Sequence, residues 1–392
     1  MAAIFASRAG ANVTIYEHNS DVGKKILASG NGRCNIINTT ATCDDYAGKD
    51  PSFASYALKQ LSFGYFVTLC RSLGLELDIK DDGRCYPLSN EAKSVVLALK
   101  NSVNASNVQT NCDHPVSAIA HNGKVFTVHT NDTKQHYDAV LIATGSTAAP
   151  QLGSTGDGYT FAQNFGHTIL PIYPSLVQLE LESKIHTKMA GVKTHAGVKL
   201  LVNNKKVMDV SGDILFTSYG ISGLAILDIS QKASLALLHK QRVGISLNLL
   251  PQYTSGQLES VLHDLITSVP NYSLHSVLSG ILPAKTITPL LDALRISHHI
   301  RAVSVTVKEL KTLVDLIQNW KFMVSDTHGF KHAEVSGGGV DTSQVNPKTM
   351  ESLLVKGLYF SGEVLDIVGK RGGYNFHFAW ASGMISGKEM GK

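Results

Sequence analysis

The chain has 392 residues, of which 43% are hydrophobic and 17% are charged. This length predicts more than one domain, and this composition is typical of a globular protein with a large core, which excludes a disordered chain. The formal net charge is +4 at pH 7, but the lysines and arginines are scattered and form no basic run. We therefore expect a small-molecule substrate and no nucleic-acid partner.

Cysteine content and hydropathy indicate the compartment. The cysteines are odd in number and none belongs to a CxxC pair; they are Cys34, Cys43, Cys70, Cys85 and Cys112. This pattern favours reduced thiols in the cytoplasm over a disulfide framework or a zinc site. No apolar run is long enough to span a bilayer, and the first residues lack the basic region of a signal peptide. We expect a cytoplasmic protein that binds neither a metal nor a membrane.

The first residues resemble part of a dinucleotide-binding unit. An alanine-rich helix ends before Gly10, and a short strand, Val13–Tyr16, ends at Glu17. In a βαβ dinucleotide-binding unit, an acidic residue at this position binds a ribose, about 20 residues after the first glycine of GxGxxG. That glycine would precede Met1, and GxGxxG occurs nowhere in the chain. We therefore expect the domain to begin within its first helix.

A glycine-rich segment over residues 23–35 contains a lysine pair, Arg33 and an asparagine. Backbone donors in such a turn, together with cationic side chains, hold phosphate-bearing ligands. The alternative is a solvated polar loop. Cys34 within it is a small packing residue or a reactive thiol, and the sequence does not distinguish the two.

Two later segments predict buried parallel strands that end in small polar residues. Residues 138–145 form an apolar run that ends in Thr144-Gly145, and Leu358–Phe360 is followed by Gly362 and Glu363. Ligands bind at such strand ends. After the second strand, Gly372-Gly373 precedes a helical pattern, which predicts a helix start that favours an anion or a developing negative charge. The alternative is an ordinary glycine turn with a solvated acid.

The middle of the chain has a different character. Asn203-Asn204 lies between two β-type runs and predicts an antiparallel hairpin, and Thr254 to Ser268 predicts an amphipathic helix with a capping box. The β-branched run from Val303 to Val307 predicts extended structure. Ser89 is expected to cap the helix that follows it. The dinucleotide-type fold is therefore split by an inserted region.

Taken together, these motifs resemble the bacterial FAD-dependent oxidoreductases described as aminoacetone oxidase-like or bile-acid-reductase-like. The resemblance covers almost the whole chain, and its most specific segments are 23–38, 82–96, 154–167, 212–230 and 346–383. It implies an α/β fold with a discontinuous, Rossmann-like, doubly wound FAD-binding domain and an inserted β-rich domain with a small helical domain. The implied boundaries are 1–167 with 322–392 for the FAD domain, 168–250 with 300–321 for the β-rich domain, and 251–299 for the helical subdomain.

The resemblance also implies a set of cofactor-binding residues. They are Glu17, Lys24, Lys25, Gly32, Arg33, Cys34, Asn35, Val116, Ala143, Thr144, Gly145, Gly362, Glu363, Asp366, Gly372, Gly373, Tyr374 and Asn375. Glu17 is expected at the adenosine ribose and Val116 near the adenine. Residues 143–145 are expected on the opposite side of the cofactor, residues 362–366 near the ribityl phosphate, and residues 372–375 against the flavin ring.

Three features of the sequence depart from the family pattern. The glycine-rich phosphate loop is absent from the sequence, Leu224 replaces a usual proline, and Phe376-His377 replaces a usual Leu-Gln. His377 is either a proton donor near the flavin or a packed, hydrogen-bonded histidine.

The functional prediction is an FAD-dependent oxidoreductase that passes a hydride or electron pair from NADH, NADPH or a substrate to a small-molecule acceptor. No catalytic acid or base is predicted. One alternative is a non-catalytic remnant that binds FAD weakly or not at all, with a gap in the middle of its parallel sheet. A second alternative is a nucleic-acid-associated flavoprotein, which the basic isoelectric point alone favours.

Overall fold

The chain folds into two units with separate apolar cores, and a computed structural model describes all residues from 1 to 392. Residues 1–172 and 335–392 form the first unit, and residues 173–334 form the second. The first unit is therefore discontinuous, as the sequence predicts. No helix is both long and apolar enough to cross a bilayer.

The first unit contains seven of the helices, numbered along the whole chain. They are α1 (Ala2–Arg8), α2 (Lys24–Ala28), α3 (Ala54–Gln60), α4 (Phe63–Ser72), α5 (Ala92–Ala105), α6 (Asp157–Asn164) and α12 (Tyr374–Met390). Its strands are short. They are β1 (Thr14–Tyr16), β2 (Ile37–Asn38), β3 (Tyr46–Ala47), β4 (Leu77–Ile79), β5 (Arg84–Pro87), β6 (Gln109–Asn111), β7 (Val116–His121), β8 (Phe126–Thr130), β9 (Lys134–Tyr137), β10 (Val140–Ile142), β18 (Val335–Val340), β19 (Leu358–Phe360) and β20 (Val368–Gly369).

Parallel strands in the first unit occur as two pairs. β1 pairs with β6, so that Thr14 lies opposite Gln109, and β10 pairs with β19, so that Val140 lies opposite Leu358. The two pairs are not hydrogen-bonded to each other. Because the pairing of β10 with β19 is parallel, their carboxyl ends lie side by side, which brings Ala143 close to Ser361.

The second unit is built on a six-stranded closed barrel. β11 (Ile169–Ser175) leads into it, and its other elements are β12 (Leu179–Leu181), β13 (Lys193–Val202), β14 (Lys205–Phe216), β15 (Gly220–Ser222), α7 (Leu224–Leu238), β16 (Val243–Asn248), α8 (Ser255–Ser268), α9 (Leu274–Leu278), α10 (Ala284–Leu294), α11 (Val307–Gln318) and β17 (Trp320–Thr327). The order around the barrel is β12-β15-β14-β13-β16-β17. All pairings in the barrel are antiparallel, and one apolar core includes residues of both the barrel and the helices.

The local predictions in this region have mixed outcomes. The hairpin at Asn203-Asn204 and the capping box of Thr254 with Gln257 are both confirmed. The prediction of extended structure from Val303 to Val307 is wrong. Residues 302–304 form a 3-10 turn, and Thr306 begins α11 through a second capping box, which outweighs the β-branched residues.

The predicted helix cap at Ser89 is also wrong. α5 begins only at Ala92, with Glu91 in the capping position, and the hydroxyl of Ser89 lies 2.7 Å from that of Ser94. The serine therefore braces the preceding turn and does not bond to the free amide groups of the helix.

Candidate cofactor site

The end of β1 carries a short polar chain of three side chains. The Oε1 atom of Glu17 accepts hydrogen bonds from both the backbone and the side-chain amide of Asn19, each at 2.9 Å. The Nζ atom of Lys24 donates to Asn19 Oδ1 at 2.8 Å. The amide of Asn19 thus holds the predicted ribose-binding acid and one predicted phosphate-binding lysine together.

A second group forms where β10 and β19 end. Lys25 Nζ lies 2.6 Å from Glu363 Oε2, and Glu363 Oε1 accepts from the Ser146 hydroxyl at 2.7 Å and from the Ser336 backbone amide at 2.8 Å. The Ser336 hydroxyl lies 3.0 Å from that of Ser146. The Glu363 side chain is only 15% exposed, so this carboxylate joins α2, β10, β18 and β19 from a largely buried position.

The start of α12 presents unpaired backbone donors. No side chain caps this 17-residue helix, and both Gly372 (φ +120°) and Gly373 (φ +95°) have left-handed backbones. A Cβ on Gly373 would lie 2.6 Å from the carbonyl carbon and oxygen of Ile37. The Gly372 carbonyl accepts from Asn38 Nδ2 at 3.0 Å. The glycines therefore let the helix start approach β2 closely while its first amides stay available.

The glycine-rich segment between α2 and β2 divides into exposed and buried residues. Gly32 and Arg33 are exposed, and the Arg33 guanidinium lies 5.3 Å from the centre of the Tyr86 ring. Cys34 is fully buried, and burial raises the pKa of its thiol to about 11. The side-chain nitrogen of Asn35 faces two backbone carbonyls, one in β2 and one in β5, and donates to both. Cys34 is thus a packed thiol and not an activated nucleophile.

Asp366 lies deeper than its neighbours. It is 3% exposed, and its two oxygens accept from the backbone amides of Lys49, at 2.7 Å, and Gly338, at 3.1 Å. Burial raises the pKa of this carboxyl above its usual value. The Lys49 side chain pairs with Asp341 at 2.7 Å. Both oxygens of Asp366 therefore accept from backbone amides of distant segments, which fixes the turn after β19.

The remaining predicted residues lie at three places. Ala143 and Thr144 are exposed beyond the end of β10, and Gly145 follows with a φ of +76°. Val116 lies on the separate β7–β8–β9 sheet. The Asn375 side chain bonds to both backbone groups of Gly369.

Tyr374 and His377 lie on the first two turns of α12. The Tyr374 carbonyl accepts from the Tyr46 hydroxyl at 2.8 Å. His377 is 4% exposed and its Nε2 lies 3.0 Å from the Leu61 carbonyl oxygen, while its Nδ1 has no partner. Burial lowers the pKa of His377 below its usual value. Of the two interpretations of this residue, the packed, hydrogen-bonded histidine is the one that the structure supports.

The residues present fit the donor set that an FAD needs. An uncapped helix start, an exposed strand end at Ala143 and Thr144, and the exposed cation of Arg33 supply backbone and cationic donors. Glu17 at the end of β1 supplies an acceptor of the kind that binds ribose hydroxyls. These groups belong to the first unit, and they follow strand ends and a helix start, which is where α/β folds bind dinucleotides.

Sequence reasoning missed three residues that hold this site together. Ser146 follows the predicted Thr144-Gly145 pair by one position, so its place at the strand end was a usable signal. Asn19 lies two residues after Glu17, where an amide can bridge an acid and a lysine. Lys49 is far from every motif in the sequence, and only the tertiary structure brings it to Asp341.

Comparison with known proteins extends over nearly the whole chain. The family described as "HI0933-like protein Rossmann domain" matches residues 1–389. A 3-dehydro-bile acid delta(4,6)-reductase of Clostridium scindens is 35% identical over 390 residues, which are 99% of this chain and 95% of that protein. A ribosomal RNA dihydrouridine synthase of Haemophilus influenzae is 31% identical over 382 residues, or 96% of this chain and 92% of that protein. Its Escherichia coli counterpart is 30% identical over 385 residues, or 98% of this chain and 93% of that protein.

Proposed function

This chain belongs to the HI0933-like Rossmann family of FAD-dependent oxidoreductases, and we propose that it reduces a carbon–carbon double bond conjugated to a carbonyl group. Family membership confirms the predicted resemblance and the α/β fold class with its Rossmann-type domain. The acceptor and the electron donor belong to the proposal. The observation that supports the cofactor part of the proposal is the meeting of β10, β18, β19 and α2 on Glu363, next to strand ends suited to a dinucleotide.

The proposed cofactor contacts are those predicted from the sequence. Glu17 would accept from the adenosine ribose, and Arg33 would pair with a phosphate. The amides that begin α12 would face the flavin ring, where they favour negative charge. Flavin supplies the two-electron chemistry, because its ring takes up and releases a hydride equivalent.

The protein contribution to this chemistry is mainly positioning. Lys25 and Ser146 hold Glu363, and the left-handed backbone of Gly373 fixes the direction of α12. The contacts of Glu363 join segments that are distant in the sequence, and together with the Gly373 backbone they hold the strand ends and the helix start in fixed positions. We assign no acid or base in this unit. His377 is engaged with Leu61 and is buried, which makes it a structural residue.

The proposed substrate class follows from what the relatives have in common. One is named as a reductase of a 3-dehydro bile acid at delta(4,6), and two are named as synthases of dihydrouridine in ribosomal RNA. A dienone and a uracil ring share a double bond conjugated to a carbonyl, and such a bond accepts a hydride at its far carbon. We propose a small-molecule acceptor of this kind, with NADH or NADPH as the donor.

A second candidate is reduction of a uridine within RNA, which the two ribosomal RNA dihydrouridine synthases favour. The expectation that the chain binds no nucleic acid therefore stays a prediction. The remnant hypothesis is not favoured, since the relatives that match nearly the whole of this chain are named as enzymes. We further propose a cytoplasmic location, because the five cysteines are free.

The first experiment is the visible absorption spectrum of the full chain purified with FAD present. Flavin bands that remain after gel filtration support the cofactor assignment, and a colourless protein contradicts it. A loaded protein would then be reduced with NADH or NADPH without oxygen and mixed with a dienone bile acid or with ribosomal RNA. Reoxidation by the dienone alone supports the small-molecule proposal. Reoxidation by RNA alone overturns it in favour of the second candidate.

A further inference from the structure

The whole net charge of the chain lies in its second unit. Residues 173–334 contain 16 lysines and arginines against 12 aspartates and glutamates, whereas the first unit contains 19 of each. Within the second unit, the helical region over residues 251–319 is balanced, with five of each sign. The excess of positive charge therefore belongs to the barrel strands, their turns and α7.

Two turns at one end of the barrel bring four cationic residues together. β13 ends at Val202, and Val243, the first residue of β16, lies opposite Val202. The turn that precedes β16 therefore lies beside the hairpin turn that joins β13 to β14. The cations of these two turns are Lys205, Lys206, Lys240 and Arg242, which we call the basic rim. They are scattered in the sequence, and only the fold groups them.

Hydrogen bonds hold the two turns against each other. The Asn203 amide donates to the Arg242 carbonyl at 2.8 Å, and the Arg242 amide donates to Asn203 Oδ1 at 3.1 Å. β13 lies between β14 and β16, and neighbouring strands are about 4.8 Å apart, so the backbones of Lys205 and Arg242 lie within about 10 Å of each other. Charges this close act together on a ligand, because the Debye length is about 8 Å at physiological ionic strength.

Most of the basic rim has no counter-charge within the protein. All four residues are exposed. Lys206 pairs with Asp209 at 3.2 Å, and both side chains of this pair are exposed, which makes the pair weak. Lys205, Lys240 and Arg242 form no ion pair. The rim is therefore a positive surface that an external anion can neutralise.

The arrangement of the basic rim suits an elongated polyanion. Its cations lie side by side across neighbouring strands, and the two turns contain no phenylalanine, tyrosine or tryptophan. The nearest exposed apolar residues in the sequence, Val207 and Leu238, are only 42% and 38% exposed. A membrane-binding surface buries an apolar face in lipid, and a surface that stacks bases needs aromatic rings. The rim has neither, which leaves contacts to the phosphates of a strand.

We propose that the basic rim docks the phosphate backbone of an RNA strand without stacking on its bases. Lysine and arginine side chains neutralise phosphates and release their counterions, which gives binding that depends on salt and not on sequence. The choice of RNA rests on the second candidate function, reduction of a uridine within RNA, whereas the phosphate contacts themselves do not. The rim lies in the second unit, so it is a docking surface and not part of the cofactor site.

The test measures binding of an oligouridylate of about 12 nucleotides, labelled with fluorescein, to the full chain by fluorescence anisotropy. If each cation of the rim neutralises one phosphate, the logarithm of the association constant falls with that of the salt concentration at a slope of about −2.8. We expect a Kd on the order of 10–100 μM at about 20 mM salt, and a loss of binding at about 200 mM.

Variants assign any binding to the basic rim. Lys240→Gln should raise the Kd about tenfold at about 20 mM salt and reduce the slope by about 0.7, because one phosphate contact is lost. Lys308→Gln is the matched control. Lys308 is an exposed lysine of the balanced helical region without an ion pair, so its replacement makes the same change in net charge and should leave Kd and slope unchanged.

Each outcome decides the proposal. No binding at low salt, or an equal Kd in Lys240→Gln and Lys308→Gln, overturns it. Tighter binding of a thymidine oligodeoxynucleotide of equal length overturns the choice of RNA, and binding to phosphatidylglycerol vesicles without binding to the oligouridylate overturns it in favour of a lipid surface. Circular dichroism checks the fold; Lys240 has a left-handed backbone, and if its variant does not fold, Lys205→Gln on the other turn decides.

Failure of this docking surface and failure of the second candidate function are distinguishable. Rim-dependent binding of RNA without reoxidation of the flavin by RNA leaves the basic rim standing and removes the second candidate. Reoxidation by RNA that is equally fast in Lys240→Gln and Lys308→Gln at low salt overturns the rim and leaves that function standing.

Discussion

Gly373 offers the sharpest test of how the helix start is built. Its φ of +95° lies in the left-handed region, and a Cβ at this position would lie 2.6 Å from the carbonyl carbon and oxygen of Ile37 and 2.7 Å from the end of the Asn35 side-chain amide. Gly373→Ala therefore meets two penalties, one from the backbone conformation and one from a clash with rigid backbone atoms of β2. Both act in the first unit.

The two penalties have separable sizes. A non-glycine residue in a left-handed conformation costs about 1–2 kcal/mol, and forcing extra atoms into a packed region costs about 1–3 kcal/mol more. Gly373→Ala should thus lower the free energy of unfolding by about 2–5 kcal/mol. Gly10→Ala is the matched control, because Gly10 has a φ of +103° but its Cβ would have no neighbour within 4 Å. The control should lose only the conformational part, about 1–2 kcal/mol.

Urea unfolding followed by the fluorescence of Trp380 measures the difference. Each unit contains one of the two tryptophans, so both variants would be made in a Trp320→Phe background that leaves only the first unit visible. An equal m-value in both variants is needed before the free energies are compared. If Gly373→Ala costs no more than Gly10→Ala, the close approach of α12 to β2 is not what requires the glycine, and the reasoning fails.

Three further predictions concern the first unit. Ser146→Ala removes a buried donor to the Glu363 carboxylate and should cost about 1–3 kcal/mol in urea unfolding; no loss would show that the hydroxyl does not stabilise the strand ends. Burial lowers the pKa of both His377 and His167, so the unfolded chain takes up protons at a higher pH than the folded chain, and the free energy of unfolding should fall as the pH drops through about 6.5. His377→Phe should make this pH dependence weaker. Urea melts from pH 7 to 5 measure it, and an unchanged slope in the variant contradicts the prediction. Glu17→Gln should weaken FAD retention about tenfold in a fluorescence titration, whereas equal affinity would remove Glu17 from the proposed ribose site.

Local signals in the sequence were sufficient wherever neighbours along the chain determine the structure. The capping box of Thr254 and Gln257 begins α8 as predicted, and Gly373 lies where α12 starts. The apolar run of Leu358–Phe360 forms a buried parallel strand. In each case the hydrogen bonds or the periodicity involved lie within a few residues, so the chain specifies them without its tertiary partners.

Contacts between distant segments could not be predicted, since no periodicity records them. Lys49 reaches Asp341 across nearly 300 positions, and the Ser336 amide reaches Glu363 only because β18 and β19 lie in one unit. The exposure of a residue is decided in the same way: Cys34 and Asp366 were predicted along the cofactor, yet packing buries both of them. Whether these two residues contact the cofactor stays a prediction.

The sequence by itself therefore determined the family, the split Rossmann-type domain and the positions along the chain at which its strands end, because these follow from motifs and local patterns. Only the tertiary structure decided which of the predicted polar groups are already engaged, as Glu363 is with Lys25 and Ser146. It also assembled the basic rim of Lys205, Lys206, Lys240 and Arg242, whose members come from two turns that are separate in the sequence. A closed barrel pairs strands that are far apart in the sequence, as β12 and β17 are, and that closure is a property of the fold and not of any one segment.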